Sequence, residues 1–279
     1  MTVSRIDSHQ HFWRLSRGDY DWMAPTFKAI YRDFQPHDLK PYLKSYQISK
    51  TVAVQAAATV AETKYLLQLA RENDWIAGVV GWVDMTSPDA IATLERLQAN
   101  PRFVGIRPMI QDIADPDWML RPELTPVFHW LEENQLAFDA LVKPVHLKNL
   151  ARLLDRHPDL KVVIDHGGKP NIRERQFDDW AEDIAYLAKH TQVYCKLSGL
   201  LTEAALDAGY HELSLHIDYL LKCFGPDKLM WGSDWPVLNL AADYGRWVVL
   251  CEQALATLPG PDQRKIWRDN AIAFYNLLI

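Results

Sequence analysis

Three cysteines in 279 residues, Cys195, Cys223 and Cys251, are too few and too scattered for a disulfide framework, and no Cys-X-X-Cys pair points to a zinc ribbon. They read as reduced structural thiols. No apolar run approaches the roughly 20 residues of a membrane span, and the first residues lack the basic segment, apolar core and small-residue cleavage site of a secretory signal. A soluble, cytoplasmic protein is the expectation. There is no long block of like charge: 30 Lys and Arg stand against 36 Asp and Glu, spread along the chain for a net charge of -6. That balance argues against nucleic acid and anionic membrane surfaces as partners. No Gly-X-Gly-X-X-Gly follows the first apolar run, and Gly167-Gly168 lacks the rest of that fingerprint, which speaks against a dinucleotide fold. Nor does any repeat or Pro/Gly/Ser-rich linker divide the chain.

What is present is an alternation. Short β-branched or apolar runs at 5–11, 51–56, 76–83, 103–108, 137–142, 161–166, 193–198 and 229–234 read as strands. Between them lie segments whose apolar residues recur at three and four, at 62–73, 87–99, 147–157, 178–190 and 211–224. Ser87-Pro88 opens one such helix and Gly225-Pro226 closes another. Eight strand and helix units predict an α/β fold, a single (β/α)8 TIM barrel over residues 1–279, with residues 263–279 as an extra C-terminal helix. An open doubly wound sheet is the alternative. The first loop, 12–50, is long, aromatic and charged enough to cover a site.

A barrel gathers its chemistry at the C-terminal ends of its strands. There the first strand offers His9 and His11, with Asp7 two residues earlier, and a period of two aims all three the same way. Two imidazoles so placed can ligate a divalent metal or polarise a carbonyl oxygen. The other expected strand ends carry Gln55, Trp82 and Asp84, Arg107, His166, Lys196 and Ser198, and Asp234 with Trp235. Asp234 suits a general base, although before Trp235-Pro236 it also suits a turn or helix cap. Taken alone, His166 reads more readily as capping or bonding a loop carbonyl than as a catalytic group. Arg107 reads as a fork for a carboxylate or ring oxygen, or as a structural ion pair. Lys196 reads equally as a substrate binder or a solvated lysine. Asp7 is expected to orient an imidazole; Lys143, Asp139 and Asp165 are weaker candidates. Among the 11 tryptophans, Trp13, Trp22, Trp82, Trp118, Trp231 and Trp235 fall in or beside loops and strand ends, where a polyhydroxylated ring could stack.

The runs Ile6-Asp7-Ser8-His9-Gln10-His11-Phe12-Trp13, Val79 to Asp84, Asp165-His166-Gly167-Gly168-Lys169-Pro170, Cys195 to Leu200 and Gly232-Ser233-Asp234-Trp235-Pro236 together resemble the amidohydrolase superfamily, family 2. Within it they resemble the sugar-lactonase branch, the L-fuconolactonase and L-rhamnonolactonase group and 2-pyrone-4,6-dicarboxylate lactonase. The resemblance runs from Arg5 to about Tyr275. It implies a lactonase that opens a sugar-acid lactone by water attack, with Asp234 as general base and His9, His11 and His166 stabilising the oxyanion. Gln55, Trp82, Arg107, Lys196 and Trp235 would then bind substrate. It implies no strictly required cofactor, with a single divalent ion, Zn2+ by ligand type, as an option held by His9, His11 and Asp234. Strand five, Phe138-Asp139-Ala140-Leu141-Val142, lacks the histidine or carboxylated lysine of strongly metal-dependent relatives. A metal-dependent decarboxylase or amide hydrolase is the alternative on the same barrel, and a binding protein that has lost its chemistry is a third. The partner is a small-molecule lactone; homo-oligomerisation is left open.

Overall fold

A computed structural model of the chain describes residues 4–206 and 208–279. Eight parallel strands lie in sequence order around one sheet: β1 (Arg5–Gln10), β2 (Ile48–Val54), β3 (Ile76–Gly81), β4 (Phe103–Ile106), β5 (Ala137–Ala140), β6 (Val162–Ile164), β7 (Tyr194–Leu197) and β8 (Leu229–Trp231). The sheet closes where β1 meets the chain beyond β8. Asp234 N–H donates to the His9 carbonyl at 2.8 Å, and His11 N–H donates to the Trp235 carbonyl at 2.7 Å. Closure removes both sheet edges and makes the predicted (β/α)8 barrel.

Outside it run α1 (Pro36–Ser45), α2 (Val60–Glu72), α3 (Ala90–Gln98), α4 (Thr125–Glu133), α5 (Leu147–Arg156), α6 (Asp178–His190), the single turn α7 (Leu200–Glu203), α8 (Tyr210–Phe224) and α9 (Tyr244–Leu255). Their apolar faces pack on the outer face of the sheet, which leaves the strands buried on both sides and accounts for their near-continuous Val, Ile and Leu runs. Local chemistry sets several boundaries. Thr59 caps α2 by accepting from Glu62 N–H, and the Glu62 carboxylate in turn accepts from the N–H groups of Ala56 and Ala57, pinning the end of β2. Burial pushes the Glu62 carboxyl up to about 8, only partly offset by those bonds.

The expected C-terminal helix is present in broken form. It runs as α10 (Gly260–Arg264), one π turn (Lys265–Asp269) and α11 (Asn270–Tyr275). Ala271, Phe274, Tyr275 and Leu277 pack against Ile6, Val52, Val80, Val104, Val163 and Met230, so this segment plugs the barrel at the N-terminal ends of the strands. No helix among the described residues is long and apolar enough to cross a membrane.

The first loop folds back on itself through paired backbone bonds between Trp13 and Phe34. Its aromatic rings build a cluster in which Trp13, Tyr20, Trp22 and Phe34 meet Trp235 from beyond β8. The loop therefore stands over the end of the barrel where the predicted site residues gather.

Candidate active site

The site rests on two backbone departures from regular strand. The β1–β2 register shifts between Asp7 and Gln10, which breaks the alternation that should have aimed Asp7 with the histidines. His9 and His11 face the site, while Asp7 turns to α9. One Asp7 oxygen accepts from the N–H groups of His9 and Ser233 at 3.1 and 2.9 Å, and the other accepts from the Tyr244 hydroxyl at 3.0 Å. Asp7 thus ties β1 to the loop after β8, and the expectation that it orients an imidazole ring is not met. Burial pushes its carboxyl up to about 6, partly offset by those donors.

The second departure is positive φ at two non-glycine residues, His166 (55°) and Asp234 (58°). Such a conformation is rare for residues with a Cβ and persists where the surroundings enforce it. It turns both side chains off their strand ends toward one point. Two glycines make room there: a Cβ at Gly199 would lie 2.4 Å from Nδ1 of His166, and one at Gly232 would lie 2.7 Å from Cβ of His9.

Three imidazoles converge on one oxygen. Nε2 of His11, His9 and His166 lie 3.2, 3.7 and 3.8 Å from Oδ1 of Asp234. Nδ1 of His11 is 2.8 Å from the Val54 carbonyl, which can only accept, so that nitrogen carries a proton. Its Nε2 therefore meets Asp234 either as an imidazolium N–H or, with a cation between them, through its lone pair. Nδ1 of His166 pairs with the Ser198 hydroxyl at 2.9 Å. Burial lowers His166 to about 4, against the opposing pull of Asp234 and Asp165, and leaves its imidazole neutral near pH 7. Burial alone would raise Asp234, but the surrounding imidazoles and the His11 hydrogen bond outweigh it and hold the carboxyl far below the usual carboxylate range.

Beneath this cluster lies a buried ionic layer. Lys196 Nζ is 2.5 Å from Asp139, 3.0 Å from Asp165 and 3.0 Å from Nδ1 of His9. Tyr275 of α11 donates to Asp139 from the other end of the barrel at 2.8 Å. Burial pushes Asp139 up to about 6 despite Lys196. For Asp165, Lys196 and His9 outweigh burial and hold the carboxyl well below its ordinary value. Burial and the Lys196 charge together hold His9 well below the usual imidazole range.

Above the cluster opens a cavity of about 220 Å³. His11, His166, Asp234 and Arg107 line its floor; Trp22 and Phe27 come from the first loop, and Met109, Leu141, Val237 and Leu240 supply apolar wall. Arg107 donates to the Gln55 carbonyl and to Asp165 (3.4 Å), and Gln55 returns a bond from its amide nitrogen to the Arg107 carbonyl (2.6 Å). Arg107 Nε and Gln55 Oε1 are buried without a protein hydrogen-bond partner among the described residues; of the two residues only Arg107 lines the cavity, where its guanidinium keeps a spare donor.

Four residues expected to bind substrate stand elsewhere. Lys196 is wholly buried in its ion pairs and does not line the cavity. Trp235 is buried against Phe12, Phe34 and Tyr42, and Trp82 also lies outside the lining. Gln55 acts on Arg107 and likewise does not line it. Trp22, named among the tryptophans on which a sugar ring could stack, does line it; Gln111 and Lys169 line it without having been named as binders, although the Gly-Gly-Lys-Pro run pointed toward Lys169.

A divalent ion fits the donor set. Ligand atoms of His9, His166 and Asp234 lie within 4.8 Å of one another, all buried, and His11 adds a fourth nitrogen close by. Imidazole nitrogens with a carboxylate oxygen are ordinary zinc ligands. His166 thus joins the expected set of His9, His11 and Asp234.

A (β/α)8 barrel with three imidazoles and an aspartate converging at its strand C-terminal ends defines a barrel hydrolase centre. The amidohydrolase family signature matches residues 6–277, and the chain belongs to that family. It is 44% identical over 277 residues to an L-fucono-1,5-lactonase of Burkholderia ambifaria, covering 98% of this chain and 96% of that one. An amidohydrolase of Burkholderia multivorans, solved with bound zinc, superposes with a TM-score of 0.92 at 35% identity, covering 99% of this chain and all of the other. A probable 2-pyrone-4,6-dicarboxylic acid hydrolase of Acinetobacter baumannii shares the fold, with a TM-score of 0.83 at 19% identity over 99% of this chain and all of that one.

Proposed function

We propose that the chain hydrolyses a small sugar-acid lactone, L-fucono-1,5-lactone or a close aldonolactone, by water attack on the ring ester carbonyl. The observation that carries this reading is the convergence of His9, His11 and His166 on Asp234 beneath a one-ring cavity. At about 220 Å³ it is smaller than the ~300–1,000 Å³ of sites for drug-sized ligands. Its two sides differ in chemistry. Arg107 and Gln111 offer bonds to hydroxyls or the ring oxygen, the Trp22 ring offers a stacking face, and Leu141, Val237 and Leu240 suit the methyl group of a 6-deoxy sugar. The 44% identity to an L-fucono-1,5-lactonase supports the same substrate class.

A lactone carbonyl lacks amide resonance and loses an alkoxide, so it asks less of a catalyst than an amide does. Asp234 takes the proton of the attacking water, the imidazoles stabilise the oxyanion, and the proton returns to the departing ring oxygen. A carboxylate held as low as Asp234 is a weak base. Held by His9, His166 and Asp234, a divalent ion would acidify water and polarise the carbonyl.

Acid release from a panel of freshly prepared aldonolactones, corrected for spontaneous opening, tests the reading. A rate above background on at least one lactone is expected, and Asp234→Asn should lower kcat by about 100-fold or more. No release above background on any member overturns the function. Parallel assays with chelator and with added Zn2+ decide whether the donors suffice alone.

A further inference from the structure

On the outside of the barrel, away from this cavity, His129 and Glu132 lie one turn apart on α4, and His157 ends α5. Nδ1 of His157 is 2.9 Å from Oε2 of Glu132, and Nδ1 of His129 is 3.2 Å from the same oxygen. The two rings stand 4.8 Å apart, and the three ligand atoms lie within 4.8 Å of one another. Helices of this barrel run back from the strand C-terminal ends, so the cluster sits toward the opposite end of the molecule from Asp234.

We propose that His129, Glu132 and His157 form a second divalent-cation site, with zinc as the fitting ion, which ties α4 to the turn between α5 and β6. Zinc bonds to imidazole nitrogen and carboxylate oxygen are about 2.0–2.1 Å long, so a tetrahedral ion sets its ligand atoms roughly 3.3 Å apart. Two edges of that figure already stand near this spacing. The third closes by rotation of His129, whose side chain is 61% exposed, whereas His157 is held at 3% against the Phe128 ring. Two imidazoles aimed through the same nitrogen at one carboxylate oxygen make a rigid half-site and a mobile third ligand, open to water as the fourth. Binding displaces the protons those nitrogens share with Glu132, so affinity rises with pH. Structural zinc of this kind adds stability, and the bottom face of such a barrel is where stabilising features sit.

Zinc titration of chelator-stripped, full-length protein tests this, read by calorimetry and by thermal melting. Asp234→Asn and the double variant Asp234→Asn/His129→Ala are compared, so that the active site contributes equally to both. The double variant is expected to bind one fewer zinc per chain and to lose the zinc-dependent rise in melting temperature. His129→Ala alone should leave lactonase activity unchanged, because His129 is exposed and remote from the cavity. Glu132→Gln, which keeps both imidazoles, should weaken this site at least tenfold. Equal zinc stoichiometry and equal melting shifts in the single and double variants overturn the proposal.

Discussion

The ammonium of Lys196 lies 3.0 Å from Nδ1 of His9 while gripping Asp139 on β5 and Asp165 just beyond β6. Three charges and an imidazole are therefore stacked inside the barrel with no exposure to solvent. Such an arrangement is tolerable only complete, since removing one partner strands the others in a low-dielectric interior. Lys196→Met, close to isosteric along the stem, should destabilise the fold by about 3–5 kcal/mol. Urea denaturation of the two proteins measures it. A loss below about 1 kcal/mol would show that Asp139 and Asp165 find other compensation.

Gly199 makes a sharper point about His166. Its φ of 63° and the 2.4 Å approach of a Cβ to the imidazole mean that Gly199→Ala must move either the ring or the α7 turn. The left-handed conformation alone costs an alanine about 1–2 kcal/mol. Because the ring is the softer element, we expect kcat/KM on the best lactone to fall at least tenfold. Steady-state kinetics beside a melting curve separates this from global loss: wild-type kcat/KM with a lowered melting temperature would mean that His166 had not moved.

Much of this was legible in the residues, and the failures have physical causes. The eight strands were readable because a parallel sheet buried on both faces demands continuous β-branched runs, and each such run did become a strand. Their ends were placed too late, at residues 11, 108, 166 and 234, because there the chain leaves the ladder to aim side chains at the cavity. Asp7 was misdirected by a register shift that no alternation pattern reveals. Lys196 was misjudged because its partners come from positions 139 and 165, and a lysine's solvation depends on neighbours brought by topology. Trp22 was legible as a stacking face because it lies in an aromatic loop long enough to cover the site, and it does line the cavity.

Trp22 should govern substrate affinity more than the chemical step. Its indole N–H donates to the Ala56 carbonyl at 2.7 Å, fixing the ring over the cavity from outside the His and Asp cluster. Trp22→Ala is therefore expected to raise KM by about tenfold, roughly 1.4 kcal/mol of stacking and exclusion of water, with a smaller change in kcat. The split is read from full saturation curves. An unchanged KM would remove the first loop from substrate binding.

The last prediction concerns acid. Burial holds His166 at about 4 in the folded chain, whereas its ordinary value is 6.5. Between these values the unfolded state binds a proton that the folded state refuses, so this residue's contribution to stability is intact above about pH 6.5 and lost as pH falls toward 4. The difference amounts to on the order of 3 kcal/mol. Asp7 and Asp139, both raised to about 6, act in the opposite sense over the same range, so the total stability of the wild type does not isolate the effect. His166→Asn does, because asparagine does not titrate and all other groups remain. Denaturation of both proteins in chelator at pH 7 and pH 4.5 should show the wild type losing stability relative to the variant. If the gap between them is the same at both pH values, His166 is not held below its ordinary value by its surroundings.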